Sequence, residues 1–242
     1  MCGRYGLIGR PEEIRDLFGL DGIDPLLCGP RYNIAPTQPA LVVRTDRQRH
    51  ELVPMRWGLV PSWVKDPQKF PLLINARAEG LADKPAFRAA CRHRRCLVPA
   101  SGFYEWQATG GRGKQPYWIR PAAGGLVAFA GLWETWHDRD GGEIDTAAIV
   151  TTAACEGLRA IHTRMPAVLA PQDWAAWLSP DTPPEEALAL IGEAAAEALE
   201  AIPVSTRVNA VANDDSGLIE PEARQPAPAE PAEEAEAQPR LL

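Results

Sequence analysis

No uninterrupted apolar run in the 242-residue chain reaches the roughly 18 to 20 residues needed to cross a bilayer, so a membrane-spanning role has no support. No membrane partner is expected. A charged-then-apolar leader is also missing, and the five cysteines are an odd number. Both features point to free thiols and a cytoplasmic protein. The chain has neither a Gly-rich phosphate loop nor a Gly-x-Ser-x-Gly elbow, which removes the common nucleotide-binding and α/β-hydrolase readings. Cys91-Arg92-His93-Arg94-Arg95-Cys96 sets an imidazole between two thiols, but no second close pair completes a tetrahedral set. No metal and no cofactor are expected. Cys28 and Cys155 read as small buried hydrophobes. No internal repeat is visible.

What is present is a divided charge. The formal net charge is −7, yet residues 1–100 carry 16 Lys+Arg against 10 Asp+Glu, leaving 9 against 22 for the remainder. The basic half is the candidate binding half, and its cations are nearly all Arg, whose planar fork suits phosphate. A solvated Arg-rich surface would give the same counts.

The length suits one domain or two small ones. From Ile219 to Leu242 the sequence is Pro, Ala and Glu with little to bury, which predicts a disordered acidic tail after a domain spanning residues 1–218. Thr182-Pro183-Pro184-Glu185 resembles a helix start, with Thr182 as cap and Glu185 closing a capping box, and predicts a helix to about Leu199. Shorter helices are expected at Pro171–Trp174 and Pro11–Phe18. Strand-like runs lie at Leu41–Arg44, Leu52–Trp57, Cys96–Val98, Gly102–Trp106, Tyr117–Ile119, Leu126–Leu132 and Ala147–Thr151, with Gly- and Pro-bearing turns between most of them. The expected fold is a single α+β domain with a mainly antiparallel, partly closed sheet and peripheral helices.

The N-terminus carries the first chemical signal, Met1-Cys2-Gly3-Arg4-Tyr5. The small Cys2 side chain permits removal of Met1, which would leave an α-amine and a thiol on adjacent carbons. At neutral pH an α-amine, with a reference pKa of about 7.7 to 8.0, is several hundredfold richer in its nucleophilic form than Lys at about 10.4. With an aldehyde it forms a Schiff base, and the thiol can then close a five-membered thiazolidine on the same carbon.

Three polar residues sit in apolar or small-residue surroundings: Asn75 in Leu73–Glu79, Glu105 in Ser101–Trp106, and His162 in Ile161–Pro166. A carboxylate can move protons during amine attack, an imidazole can protonate a sugar ring oxygen, and an amide can orient either. Structural roles compete with each assignment. Asn75 could satisfy a turn, Glu105 could pair with Arg77 or Arg164, and His162 could be a satisfied core histidine. Trp63 and Trp106 could carry unstacked bases while Arg4, Arg77 and Arg164 hold phosphates, although core packing is the commoner fate of tryptophan.

Taken in order, Met1–Tyr5, Tyr32-Asn33-Ile34-Ala35-Pro36-Thr37, Arg56-Trp57-Gly58-Leu59-Val60-Pro61, Asn75-Ala76-Arg77-Ala78-Glu79, Gly102-Phe103-Tyr104-Glu105-Trp106, His162-Thr163-Arg164-Met165-Pro166 and Val204–Asn209 resemble the SRAP (SOS response-associated peptidase) family. The resemblance implies a protein that recognises abasic sites in single-stranded DNA and shields them through a thiazolidine DNA–protein crosslink. It places crosslinking on Cys2, active-site roles on Asn75, Glu105 and His162, and DNA contacts on Arg4, Arg77 and Arg164, with Asn33, Pro39, Trp63 and Trp106 beside them. It also implies self-removal of Met1, a lyase activity, and a location at the nucleoid when DNA is bound. No replication-fork partner is named by the sequence. Two other readings use the same residues: a cysteine hydrolase with Cys2 as nucleophile, His162 as base and Asn75 as oxyanion donor, and a noncovalent single-strand binding module.

Overall fold

The computed structural model describes residues 2–47, 49–111, 113–192 and 198–222. Among the described residues, thirteen strands and four α-helices are arranged as α+β. Strands β1 (Tyr5–Leu7) and β2 (Arg31–Ile34) are separated by α1 (Pro11–Phe18). In α1 the 3.6-residue period turns Ile14 and Phe18 inward. Gly19 ends the helix at φ 61°, a left-handed conformation that glycine adopts without strain. The β3 (Pro39–Asp46) and β4 (Arg49–Trp57) pair is followed by the short β5 (Asn75–Arg77) and α2 (Arg88–His93). Next come β6 (Arg95–Ala100), β7 (Gly102–Ala108), β8 (Lys114–Pro121), β9 (Val127–His137) and β10 (Glu143–Ala153). The chain continues through β11 (Arg164–Pro166), β12 (Val168–Leu169), α3 (Trp174–Leu178), α4 (Pro184–Ala189) and β13 (Leu199–Pro203).

One sheet runs β13-β8-β7-β1-β2, and the other runs β11-β10-β4-β3-β6-β9-β12. The second closes on itself, because β10 also pairs with β9 from Glu143↔His137 to Ile149↔Gly131. Strands β10, β4, β3, β6 and β9 therefore form a barrel, which removes their free edges. Pairing is mainly antiparallel, but β10 runs parallel to both β4 and β5. The core, with Trp57, Phe103, Phe129 and Trp177 almost wholly inaccessible, fills the space between these sheets and under the helices.

The seven expected strands are all present and longer at their ends, whereas the short β1, β2, β5, β11, β12 and β13 carry too few residues for an alternation to show. The helix expected from Thr182 to Leu199 is corrected. Thr182 makes no cap, α4 stops at Ala189, and Leu199–Pro203 is the edge strand β13 paired with β8. Partner strand geometry has overridden local helix preference there. Residues 193–197 of that expected helix, and 223–242 of the expected tail, lie outside the described residues. The described chain reaches Glu222, whose N–H donates to the Pro203 carbonyl, and Leu218 is fully buried.

Strand β1 fixes the start of the chain. Tyr5 pairs with Ile34 on one side and Phe103 on the other, and its ring packs edge-on against Trp57 and Phe129. Gly6 lies opposite Gly102, and a Cβ on Gly102 would come within 2.5 Å of the Ile119 carbonyl oxygen. Only a residue without a side chain lets the strands close here. The antiparallel register, continued by Tyr104 N–H donating to Arg4 O, carries the residues before Arg4 alongside Glu105.

Candidate active site

Alternation along β7 decides what Glu105 meets. Phe103 and Glu105 share one face of the strand, and Phe103 belongs to the main core against Phe129. Glu105 is therefore a carboxylate among apolar groups, 3% exposed. Burial raises its pKa above the ordinary carboxylate range, and the nearby His162 opposes that shift. Tyr104 and Trp106 face the other way, onto a second cluster with Trp118, Val204 and Val208.

His162 comes to Glu105 from a different part of the chain. The turn after residues Glu156–Leu158 is docked on β7 by Gln107 Nε2, which donates to Ala160 O at 2.8 Å. This sets His162 Nδ1 3.9 Å from Glu105 Oε1. The same Nδ1 lies 2.9 Å from the Arg164 N–H and 3.0 Å from the Arg164 carbonyl oxygen, so the ring's tautomer sets which of the two it bonds.

Cys2 is fully buried at this place. Asn75, held on β5 by its pairing with Ile149, donates from Nδ2 to the Cys2 carbonyl oxygen at 2.7 Å. The Cys2 thiol donates to Arg4 O at 3.7 Å, and burial, aided by the Glu105 charge, pushes its pKa well up. Cys2, Asn75, Glu105 and His162 thus converge from the N-terminus, β5, β7 and the segment before β11. Asn75 Oδ1 and Arg164 Nε are buried without a hydrogen-bond partner among the described residues. Unmet polar atoms of this kind fit a site whose ligand supplies the missing partners.

The residues expected to contact DNA separate into two groups. Pro39 and Arg77 are exposed, and Trp63 is 58% exposed with its ring edge-on to Phe70. The others already have protein partners. Arg4 Nη1 donates to Asn33 Oδ1 at 2.8 Å and to Val208 O at 2.7 Å, and its guanidinium lies over the half-buried Trp106. Asn33 is fully buried and donates to Val208, Ala210 and Asn213 carbonyls. Trp106 Nε1 donates to Asn209 Oδ1. Arg164 forms a two-bonded pair with Glu79 at 2.6 and 2.9 Å, so the partner imagined for it in Glu105 is replaced. Glu79 lay unremarked inside the Asn75–Glu79 motif. Asp214, which accepts from Tyr32 N, Asn33 N and Arg31 Nε, had no local signal at all. Among the described residues no group of three or more His, Cys, Asp or Glu side chains is placed to hold a metal ion.

The fold and site define a class: a β-barrel domain that folds the start of its own chain into a buried polar site. A model of the SOS response associated peptidase (SRAP) family matches residues 1–211. The chain belongs to that family. It is 38% identical over 222 residues to the abasic site processing protein YoqW of Bacillus subtilis, covering 91% of this chain and 99% of that one. It is 34% identical over 228 residues to the abasic site processing protein YedK of Escherichia coli, covering 91% and 100%. An X-ray structure of a protein from Bacteroides thetaiotaomicron shares the fold, with a TM-score of 0.80 at 23% identity over 92% of this chain and 100% of that one.

Proposed function

We propose that this protein processes abasic sites in single-stranded DNA by bonding covalently to them through Cys2 once Met1 has been removed. The observation that carries the reading is the meeting of Cys2 with Asn75, Glu105 and His162 in one buried place. Family membership and the names of the relatives YoqW and YedK support the choice of lesion.

An abasic deoxyribose exists partly as a ring-opened aldehyde. His162 gives a proton to the ring oxygen as the sugar opens. The Cys2 amine attacks C1′, forming the N–C1′ bond, and the aldehyde oxygen leaves as water to give the imine. The thiol sulfur then adds to C1′, its proton passes to nitrogen, and the thiazolidine closes without any oxidant or reductant. Glu105, whose hold on a proton is strengthened by burial, takes the proton from the amine and returns it to the leaving oxygen. Asn75 fixes the Cys2 backbone and so aims the amine. Arg77 and Trp63 lie open to the flanking strand, with Pro39 and Trp106 beside it, while Arg4, Asn33 and Arg164 act by holding the surface in shape. Removal of Met1 hydrolyses one peptide bond with one water, and Cys2 is its nucleophile. Lyase cleavage of the strand is the route that ring closure diverts.

A cysteine hydrolase acting in trans would need an outside peptide to reach the thiol, and Cys2 is fully buried. The test uses protein whose N-terminus is verified by mass, mixed with single-stranded DNA bearing one abasic site. A heat-stable adduct forms with the wild type, fails with Cys2→Ala, and loses its stability with Cys2→Ser, whose oxygen leaves an open imine. Equal, heat-stable adducts from all three proteins would sink the ring mechanism.

A further inference from the structure

The segment that follows Asn75 in sequence is basic out of proportion to the chain. Between Arg77 and Arg95 lie Arg77, Lys84, Arg88, Arg92, Arg94 and Arg95 against Glu79 and Asp83, within a protein whose formal net charge is −7. Arg94 is paired with Glu134, and Arg95 is buried with its guanidinium on the carbonyls of Cys91 and Trp177. Lys84, Arg88 and Arg92 are different. All three are exposed and none makes a side-chain hydrogen bond or ion pair with a described residue. Several other arginines are matched to carboxylates, as in Arg31–Asp214, Arg44–Glu51, Arg120–Glu200 and Arg207–Asp215.

Lys84 N–H bonds to Gly80 O and Arg88 N–H to Lys84 O, in turns that lead into α2. Within α2 Arg88 and Arg92 stand at i and i+4 on one face. Like charges at that spacing repel and weaken the helix, so the pair is a feature that packing does not explain. Arg88 and Arg92, with His93, form one wall of a surface concavity of about 500 Å³ whose opposite wall is Pro184 and Glu185. Lys84 Cε lies 3.9 Å from where a Cβ on Gly80 would sit, and Gly80 follows the Glu79 that holds Arg164.

We propose that Lys84, Arg88 and Arg92 form a phosphate track that carries the nucleic-acid strand away from the lesion-binding site, extending the contact begun by Arg77. The inference rests on the reading of the site as one for abasic DNA. A run of uncommitted guanidinium and ammonium groups matches a polyanion. Glu185 lines the same concavity as Arg88 and Arg92, and Asp83 precedes Lys84.

The test measures noncovalent binding of single-stranded oligonucleotides carrying a tetrahydrofuran abasic analogue, which has no aldehyde, across a series of salt concentrations. Wild type is compared with Lys84→Gln/Arg88→Gln/Arg92→Gln and with Arg10→Gln/Arg47→Gln/Arg139→Gln, which removes the same charge from exposed sites elsewhere. Loss of three phosphate contacts lowers the slope of log K against log salt by about 2. The expected result is that drop in the first variant alone, and only with oligonucleotides long enough to reach the track. An unchanged slope in the first variant, or an equal drop in both, overturns the proposal. Crosslinking of a short oligonucleotide with a true abasic site is followed in parallel. Its absence in wild type overturns the reading of the site, and its persistence in the track variant separates the two.

Discussion

The Asn75 side-chain amide donates 2.7 Å to the carbonyl oxygen of Cys2, tying the first residues of the chain to strand β5. Asn75→Ala removes that tether and leaves a buried carbonyl unpaired, at a cost of about 1 to 3 kcal/mol. If the tether aims the amine, the rate of adduct formation falls by roughly tenfold or more, since 1.4 kcal/mol is a factor of ten. Single-turnover crosslinking at saturating DNA reads this directly. An unchanged rate with lowered thermal stability would make Asn75 a structural residue only.

Glu105 gives a pH-dependence with a definite sign. Its pKa is raised in the folded protein by burial, so the folded state holds this proton more tightly than the unfolded chain does. Stability then falls as pH rises from the ordinary glutamate value of about 4.3 through the folded pKa, because ionisation favours the unfolded state. Glu105→Gln abolishes that component. The melting temperature of wild type minus that of Glu105→Gln is expected to become more negative across that window, while crosslinking by the variant is reduced at every pH. A flat difference would mean that Glu105 binds its proton equally well in the folded and the unfolded protein.

The Cys2 thiol stays protonated well past neutral pH, because burial and the Glu105 charge both oppose the thiolate. Alkylation of Cys2 by iodoacetamide at pH 8 is expected to be slower than in the denatured chain by about tenfold or more. Peptide mapping by mass spectrometry assigns the label. Rapid labelling of native Cys2 would restore the hydrolase reading.

Asn33 is expected to matter for folding first. Its Nδ2 serves the carbonyls of Val208, Ala210 and Asn213 while its Oδ1 accepts from Arg4. Asn33→Ala leaves several of these buried groups unmet and costs about 3 kcal/mol. Urea denaturation measures it. Full stability combined with lost DNA affinity would return Asn33 to the role of a strand contact.

Much of the fold was legible because the long strands declare themselves. Leu52–Trp57 and Ala147–Thr151 are β-rich runs that no alternative packing could leave outside a sheet. The short strands were illegible for the converse reason: three residues such as Tyr5–Leu7 or Asn75–Arg77 hold no period, and only flanking strands make them β. Leu199–Pro203 followed its neighbour β8 against the helical preference of the residues before it. Charged partners were the least predictable. Glu105 had two arginines open to it, Arg77 and Arg164, and the pairing of Arg164 with Glu79 instead depends on where β11 docks on β10.

The sequence by itself determined the proposed reactive group and the side chains proposed to help it. An amine and thiol on adjacent carbons follow from a cysteine at position 2 once Met1 is gone, and an isolated Asn, Glu and His in apolar stretches follow from local pattern alone. Tertiary structure decided which of them meet and in what state. Cys2 and Asn75 are 73 residues apart, and the register of β1 against β7 brings Cys2 to Glu105. It also decided that Arg4 and Asn33 are already bonded to the chain near Val208, whereas Arg77 is left to solvent. Local sequence sets what a side chain can do. Burial and distance set its protonation and its partners, and both are properties of non-local strand pairing.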